Sequence, residues 1–354
     1  MELTSKIYIA GHTGLVGSAI LRHLKAKGYS NLLVRRHDEL DLKNRSAVDH
    51  FFATEHPEYV FLAAARVGGI LGNSTYKAEF IYENLIIAAN VIDASYEHRV
   101  RKLLNLGSSC IYPRLAPQPI KEAYLLTGSL EPTNEPYAIA KIAAIKLCRY
   151  YNEQYGTNYM SGMPTNSYGI NDNFNLETSH VLPALIRKLH LAKLWQQSRI
   201  EELVADLNAR PIGFGYSLDE GADESSIEAL MIKLGISRTA LTLWGTGSPY
   251  REFIFAGDLA GACVFLMERC EAKQVGELVN IGVGQDQQIK ELAFLVKKIV
   301  AYEGEVLFDS TKPDGAPRKL LDVSRLTSLG WKATTPLEEG IRKTYEWYTG
   351  KSSA

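Results

Sequence analysis

Two patterns in this chain carry residues of the right type at a spacing that chemistry can use. Gly11, Gly14 and Gly17 form a G-x-x-G-x-x-G set between the short β-rich run KIYIA (6–10) and the amphipathic run SAILRHLKAKG (18–28). In a strand–turn–helix context the first glycine permits a tight turn, the second lets the backbone approach a pyrophosphate, and the third lets helix pack on strand. The helix start then offers unpaired N–H groups and the positive end of its dipole to phosphate. The loop His12, Thr13, Leu15 and Val16 completes the predicted cradle. Tyr137 and Lys141, four apart, fall on one helix face. A phenol with a reference pKa of about 10 is a poor acid–base group near neutrality, and an adjacent ammonium stabilises its anion. Ser108, at the end of the predicted strand KLLNLGS, is placed to hydrogen-bond a carbonyl or hydroxyl undergoing interconversion.

The end of the second predicted strand, NLLVRR (31–36), selects between dinucleotides. An acid there would bond a ribose 2′-hydroxyl, whereas arginine accommodates a 2′-phosphate. Arg35 and Arg36, followed by His37, predict NADP(H), and Asp41 is included among the expected cofactor contacts. Exposed arginines at a strand end are otherwise ordinary solvated charges.

The positioning elements alternate. EYVFLAAA (58–65) and KLLNLGS (102–108) read as buried strands. Helices are predicted over about 44–55, with Asn44 as N-cap, over 76–98, and over 136–156, with Pro136 at the start and Gly156 at the end. This alternation predicts an α/β fold: a doubly wound parallel Rossmann sheet with a smaller C-terminal substrate-binding domain. The expected division is 1–165 for the dinucleotide domain, with about 252–285 returning to it, and 166–354 mainly for the substrate. The stretch 195–240 reads as an insert with helices at 195–208 and near 226–234. Its centre, PIGFGYSLDEGADESS, is polar and reads as a surface excursion.

A formal net charge of −1 over 354 residues provides no field for nucleic acid or an anionic membrane. No apolar run approaches membrane-spanning length. The four cysteines (Cys110, Cys148, Cys263, Cys270) have no metal-ligand spacing, so no metal is expected. Their scarcity suggests a reducing compartment, and the early start of the first strand suggests no leader; a cytoplasmic location is the expectation.

GHTGLVG, NLGSSCIYP, EPTNEPYAIAK and MPTNSYG together resemble the GDP-L-fucose synthase family of extended short-chain dehydrogenase/reductases, over about 1–194 and 241–345. The resemblance implies NADPH-dependent 3,5-epimerisation and 4-reduction of GDP-4-keto-6-deoxy-mannose. Ser108 and Tyr137 would act at the C4 carbonyl and Lys141 on the cofactor. Inversion beside a ketone needs proton removal on one face and return on the other. Cys110 and His180 match the family's epimerase pair, although alone they read as a buried filler and a helix-end histidine. Further cofactor contacts are implied from Asn105, Leu106 and Gly107, from Pro164, Thr165, Asn166 and Ser167, and from His180. Substrate contacts are implied from Lys188, Trp244, Arg251 and Asp314, where guanidinium suits diphosphate and indole suits a base or sugar face. The family pattern further implies a homodimer through helices near 76–98 and 137–155. The 195–240 stretch is about forty residues longer than the compact family form, and Thr13 stands where a basic residue is expected. A related GDP-sugar such as a 6-deoxy-4-keto-heptose, a pure reductase or epimerase, and a non-catalytic NADP-binding sensor remain alternatives.

Overall fold

The computed structural model describes residues 1–68, 75–219 and 221–351; position 220, inside the predicted insert, and 352–354 lie outside the described residues. In chain order the strands are β1 (Ile7–Ala10), β2 (Leu32–Leu33), β3 (Tyr59–Leu62), β4 (Lys102–Leu106), β5 (Tyr159–Pro164), β6 (Asn166–Tyr168), β7 (Ala240–Trp244), β8 (Tyr250–Phe255), β9 (Val279–Ile281), β10 (Asp286–Gln288), β11 (Glu305–Asp309) and β12 (Arg318–Lys319). Six form one sheet in the order β2-β1-β3-β4-β5-β9, with every pairing parallel. Runs such as IYIA and KLLNL are apolar without alternation because helices cover both faces. Chain order reverses between β1 and β3, which opens a crevice beyond their carboxyl ends.

On one face, α1 (Leu15–Ala26) contributes Ile20 and Leu24 to the core. The other face is covered by α2 (Arg45–Glu55), α3 (Lys77–Glu97) and α4 (Glu135–Tyr155), through Phe52, Val91, Ile92 and Ala144. Asn44 caps α2, its side chain accepting from the Ala47 amide at 3.1 Å. Pro136 sits in the first turn of α4 and Gly156 ends it in the left-handed conformation, φ 68°. The predicted second strand is shorter than the sequence suggests. It pairs only at Leu32 and Leu33, because the Arg36 amide is taken by the Glu39 carboxylate at 2.6 Å and the chain turns out of the ladder.

A second layer is built around β8, which pairs with β10 antiparallel and with β6 and β12 parallel. Beside it β7 and β11 pair parallel. The core under these strands is filled by α5 (Val181–Gln196), α6 (Ile200–Ala209), α7 (Glu224–Lys233), α9 (Ile289–Val300) and α10 (Leu337–Tyr348), while α8 (Ala256–Arg269) returns to the first sheet beside α1. The helix expected at 195–208 is broken: α5 carries Trp195 to its end, Ser198 takes φ 55°, and α6 begins afresh. The flanks of the predicted excursion are integral to the core, with Leu203, Leu207, Ile227, Leu230 and Met231 buried in it. Only the centre is mostly exposed.

Arg187 explains how α6 is held. Its fully buried guanidinium donates to Asp206 Oδ1 (3.2 Å) and to the carbonyls of Phe174 (2.9 Å), Pro211 (2.7 Å) and Arg210 (2.9 Å). Asp206 also accepts from Arg210 at 2.9 Å and from the Tyr348 hydroxyl. Removing the cation leaves a buried carboxylate and three carbonyls short of a donor. Arg187→Ala is therefore expected to cost ~3–5 kcal/mol, read as a lower denaturant midpoint; an unchanged midpoint would contradict this role.

Candidate active site

The glycine loop fits a dinucleotide. Gly11 has φ +86°, and a Cβ there would lie 2.8 Å from the Ala64 backbone; a Cβ on Gly17 would lie 2.1 Å from the Gly11 carbonyl oxygen. Gly14 is exposed and forms the N-cap of α1 with no side chain covering the first-turn amides. Leu15 and Val16 pack inward. Among the described residues His12 Nδ1 is buried without a partner. Its imidazole is held below the usual range by burial, with Glu39 opposing that and Arg36 adding to it. Thr13 supplies its carbonyl to the Asn171 amide at 2.6 Å, tying the loop to the second layer.

The two arginines divide. Arg35 pairs with Glu55 at 2.6 Å and lies over the Phe51 ring, so it braces α2. Arg36 is exposed, holds Asp38 in a two-pronged pair (2.6 and 3.0 Å) and acts electrostatically on His12. A 2′-phosphate replacing Asp38 would meet Arg36 there. His37 lies 3.9 Å from Asp41, whose carboxylate also accepts from the Lys43 amide at 3.0 Å.

At the sheet's carboxyl edge Ser108 Oγ accepts from the Cys110 amide at 3.3 Å. Burial holds the Tyr137 phenol well above its usual range; the nearby Cys110 adds to this and a hydrogen bond with Ser108 opposes it. A phenol so placed stays protonated in the ligand-free site. Lys141 Nζ donates to the Leu106 carbonyl at 2.8 Å and sits 5.7 Å from the centre of the Tyr137 ring. Burial pulls it down to about 8.

Not every residue of the predicted cofactor set faces the crevice. The Asn105 side chain is buried within the sheet and donates to Ser161 Oγ at 3.3 Å. Leu106 packs in the core, and Gly107 is pressed on Met163, where a Cβ would meet the side chain at 2.3 Å. The Thr165 hydroxyl (3.3 Å) and Asn166 amide (2.9 Å) both donate to the Glu252 carbonyl. Contacts from these residues to a ligand therefore fall to backbone. Pro164 ends β5 and Ser167 lies in β6, both half-buried.

Cys110 is half-buried, unlike Cys148 and Cys263, whose thiols burial pushes up to about 12. Lys319 Nζ points at Cys110 Sγ from 3.6 Å. His180 sits at the head of α5 but caps none of its amides. Its pKa is lowered by desolvation first and by the Lys319 charge second. Lys319 thus joins two residues seventy apart in sequence. It lies in KPDGAPRK, from which the sequence pattern singled out only Asp314.

The residues predicted to meet substrate lie in the second layer. Lys188 is half-buried and lowered to about 8 by desolvation, not a solvated helix face. Trp244 is 66% exposed, so it is not a core residue. Arg251, partner of Lys319 in the β8–β12 register, is lowered by burial and opposed by Asp314. Asp314 accepts from the Thr246 amide (3.0 Å) and hydroxyl (2.6 Å), fixing the turn after Trp244. Glu252, next to Arg251, was not anticipated. Its buried carboxylate accepts from the amides of Val283 (2.6 Å), Gly284 (2.7 Å) and Leu321 (3.0 Å). Among the described residues the one grouping with metal-ligand spacing is Asp49, Glu97 and His98; Asp49 is paired with His98 and Glu97 with Arg45.

A glycine crevice at a switch point beside a Ser–Tyr–Lys set defines a dinucleotide-dependent enzyme of the carbonyl–hydroxyl class. The description "NAD dependent epimerase/dehydratase family" matches residues 7–219 and 213–282. GDP-L-fucose synthase 1 of Arabidopsis thaliana is 52% identical over 347 residues, covering 98% of this chain and 94% of that protein. GDP-L-fucose synthase of Escherichia coli K12 is 45% identical, covering 97% and 96%. A solved GDP-D-glycero-L-gluco-heptose synthase from Campylobacter jejuni, in the presence of NADPH, superposes with a TM-score of 0.91 at 40% identity over 99% of both chains. The chain belongs to the NAD dependent epimerase/dehydratase family, in the group that contains the GDP-L-fucose synthases. No described helix is long and apolar enough to cross a membrane.

Gly17→Ala, whose methyl would strike the Gly11 carbonyl, is expected to abolish NADPH binding as read by cofactor fluorescence; binding within twofold of wild type would contradict the cradle. The two buried lysines give a pH signature. Lys141 and Lys188, held near 8 when folded against an ordinary lysine value of 10.5, bind fewer protons folded than unfolded between those values. The stability of the cofactor-free protein should therefore rise from pH 8 to 10.5 relative to a Lys141→Met/Lys188→Met variant. Denaturant unfolding at several pH values would show this, and parallel curves would contradict it.

Proposed function

We propose that this chain is an NADPH-dependent epimerase/reductase that converts GDP-4-keto-6-deoxy-D-mannose to GDP-L-fucose. The observation that carries the reading is the convergence of Ser108, Tyr137 and Cys110, with Tyr137 responding to both of the others. The names of the Arabidopsis and Escherichia coli relatives support the substrate. Bound NADPH would supply hydride to C4. Ser108 holds the C4 oxygen and Tyr137 gives it a proton. Lys141 orients the cofactor ribose, and Cys110 and His180 exchange the protons at C3 and C5 from opposite faces. Arg251 and Lys188 meet the diphosphate, and Trp244 packs on the base or sugar.

We assign cofactor binding to residues 1–165 with 252–285, substrate binding mainly to 166–354, and a homodimer contact to the outer faces of α3 and α4, where Tyr82, Ile139 and Tyr150 are exposed. The free cysteines fit a reducing compartment such as the cytoplasm. A second reading, a 6-deoxy-4-keto-heptose linked to GDP, is favoured by the likeness to the Campylobacter heptose synthase.

The test is NADPH oxidation with GDP-4-keto-6-deoxy-mannose and NMR of the product. GDP-L-fucose supports the proposal; turnover only on the heptose analogue favours the second reading, and no turnover on either leaves a non-catalytic NADP-binding protein. Cys110→Ser and His180→Gln are each expected to slow epimerisation ~10²–10⁴-fold while reduction continues to an unepimerised product. Epimerisation at the wild-type rate in either variant would remove that residue from the pair.

A further inference from the structure

Lys319 has an environment that neither ordinary surface charge nor core packing explains. It is half-buried in β12, and no carboxylate lies within ion-pair distance of it among the described residues. The contact its ammonium makes is with a thiol, Cys110 Sγ at 3.6 Å. Its charge also reaches His180. Its place is fixed from two sides. In the parallel β8–β12 register Lys319 lies beside Arg251, and two residues on the Leu321 amide is anchored to the buried Glu252 carboxylate at 3.0 Å. The Leu320 amide is held by Gln118 Oε1 at 2.8 Å. A long side chain is thereby aimed at one atom.

We infer that Lys319 is the positioning cation of the epimerisation step, holding the Cys110 sulfur as the proton-accepting thiolate on one face of the sugar, opposite His180. An ammonium at hydrogen-bond distance favours the charged form of sulfur, and the thiolate is the reactive form. The groups facing Cys110 are the Lys319 ammonium from β12, the Tyr137 phenol from α4 and the Ser108 hydroxyl from its own turn. Lys141 is drawn to the Leu106 carbonyl, and His180 faces Lys319 from the head of α5. Lys319 is thus the one cation in contact with the sulfur among the described residues. The same charge makes a His180 imidazolium a stronger acid, so one ammonium biases both partners. In the step, the carbon–hydrogen bond breaks as an S–H bond forms, and the electron pair moves onto the C4 oxygen held by Ser108 and Tyr137. The imidazolium returns a proton to the opposite face, and both groups reset by exchange with solvent.

The inference rests on the epimerase reading of Cys110 for its purpose, but its test does not need the sugar. The rate of iodoacetamide alkylation at Cys110 would be followed at pH 7 by peptide mass spectrometry in the full-length protein, with Cys110→Ser as the blank. Lys319→Met should slow alkylation about tenfold. Lys319→Arg should restore most of the difference. An unchanged alkylation rate in Lys319→Met overturns the inference even if the wild type makes GDP-L-fucose. A raised KM for the sugar with that unchanged rate would place Lys319 in the diphosphate grip instead. The expected slowing in a protein that fails to epimerise any sugar would leave Lys319's effect on the sulfur standing and refute the proposed function. Circular dichroism and cofactor affinity of each variant distinguish a folding defect from a charge effect.

Discussion

The carboxylate of Glu252 is fully buried and faces no cation within ion-pair distance among the described residues; it survives by accepting three backbone amides. Burial raises its pKa and those amides lower it. Its own carbonyl takes the Thr165 hydroxyl and the Asn166 amide. One residue therefore ties together the end of the first sheet, the loop after β9, strand β8 and strand β12. Arg251 precedes it and Lys319 is two residues from one of its partners, so the cations of the candidate site inherit their positions from this junction. A buried acid of this kind contributes little net stability but enforces a particular arrangement, because any other leaves the carboxylate without donors.

Electrostatics in the crevice run against the chain as a whole. The protein carries a net charge of −1, yet the candidate site gathers Lys141, Lys188, Arg251 and Lys319. Burial lowers the pKa of Lys141, Lys188 and Arg251. Such groups are costly in the free protein and become favourable when an anion arrives. A dinucleotide and a sugar diphosphate supply that charge, which links the stability of the site to its ligands. Tyr137 shows the opposite bias, held protonated by burial in the ligand-free site.

The parts of the site most legible in sequence were those with local geometry. Gly11, Gly14 and Gly17 declared themselves by their spacing between strand and helix, and at Gly11 and Gly17 a Cβ would strike the Ala64 backbone or the Gly11 carbonyl. Tyr137 and Lys141 were legible because four residues on a helix is a fixed separation. Arg35 and Arg36 were adjacent and indistinguishable until the fold gave Arg35 to Glu55. Cys110 and His180 are far apart in sequence, and only family resemblance joined them; the cation between them lies farther on still, where no local pattern marks it. The stretch 195–240 was legible only in part: its centre is mostly exposed as expected, but the burial of its flanks was not foreseen. Its polar centre dominated the reading, whereas Leu203, Leu207, Ile227 and Met231 on its flanks fill the core.

The most direct test of the account is solvent-proton exchange during turnover. The enzyme would convert GDP-4-keto-6-deoxy-mannose with NADPH in D2O, and the product sugar would be examined for deuterium by mass spectrometry and NMR. Proton removal and return at two carbons by Cys110 and His180 predicts deuterium at both C3 and C5. A reduced product carrying no solvent deuterium at either carbon would contradict the epimerising site and leave a reductase alone.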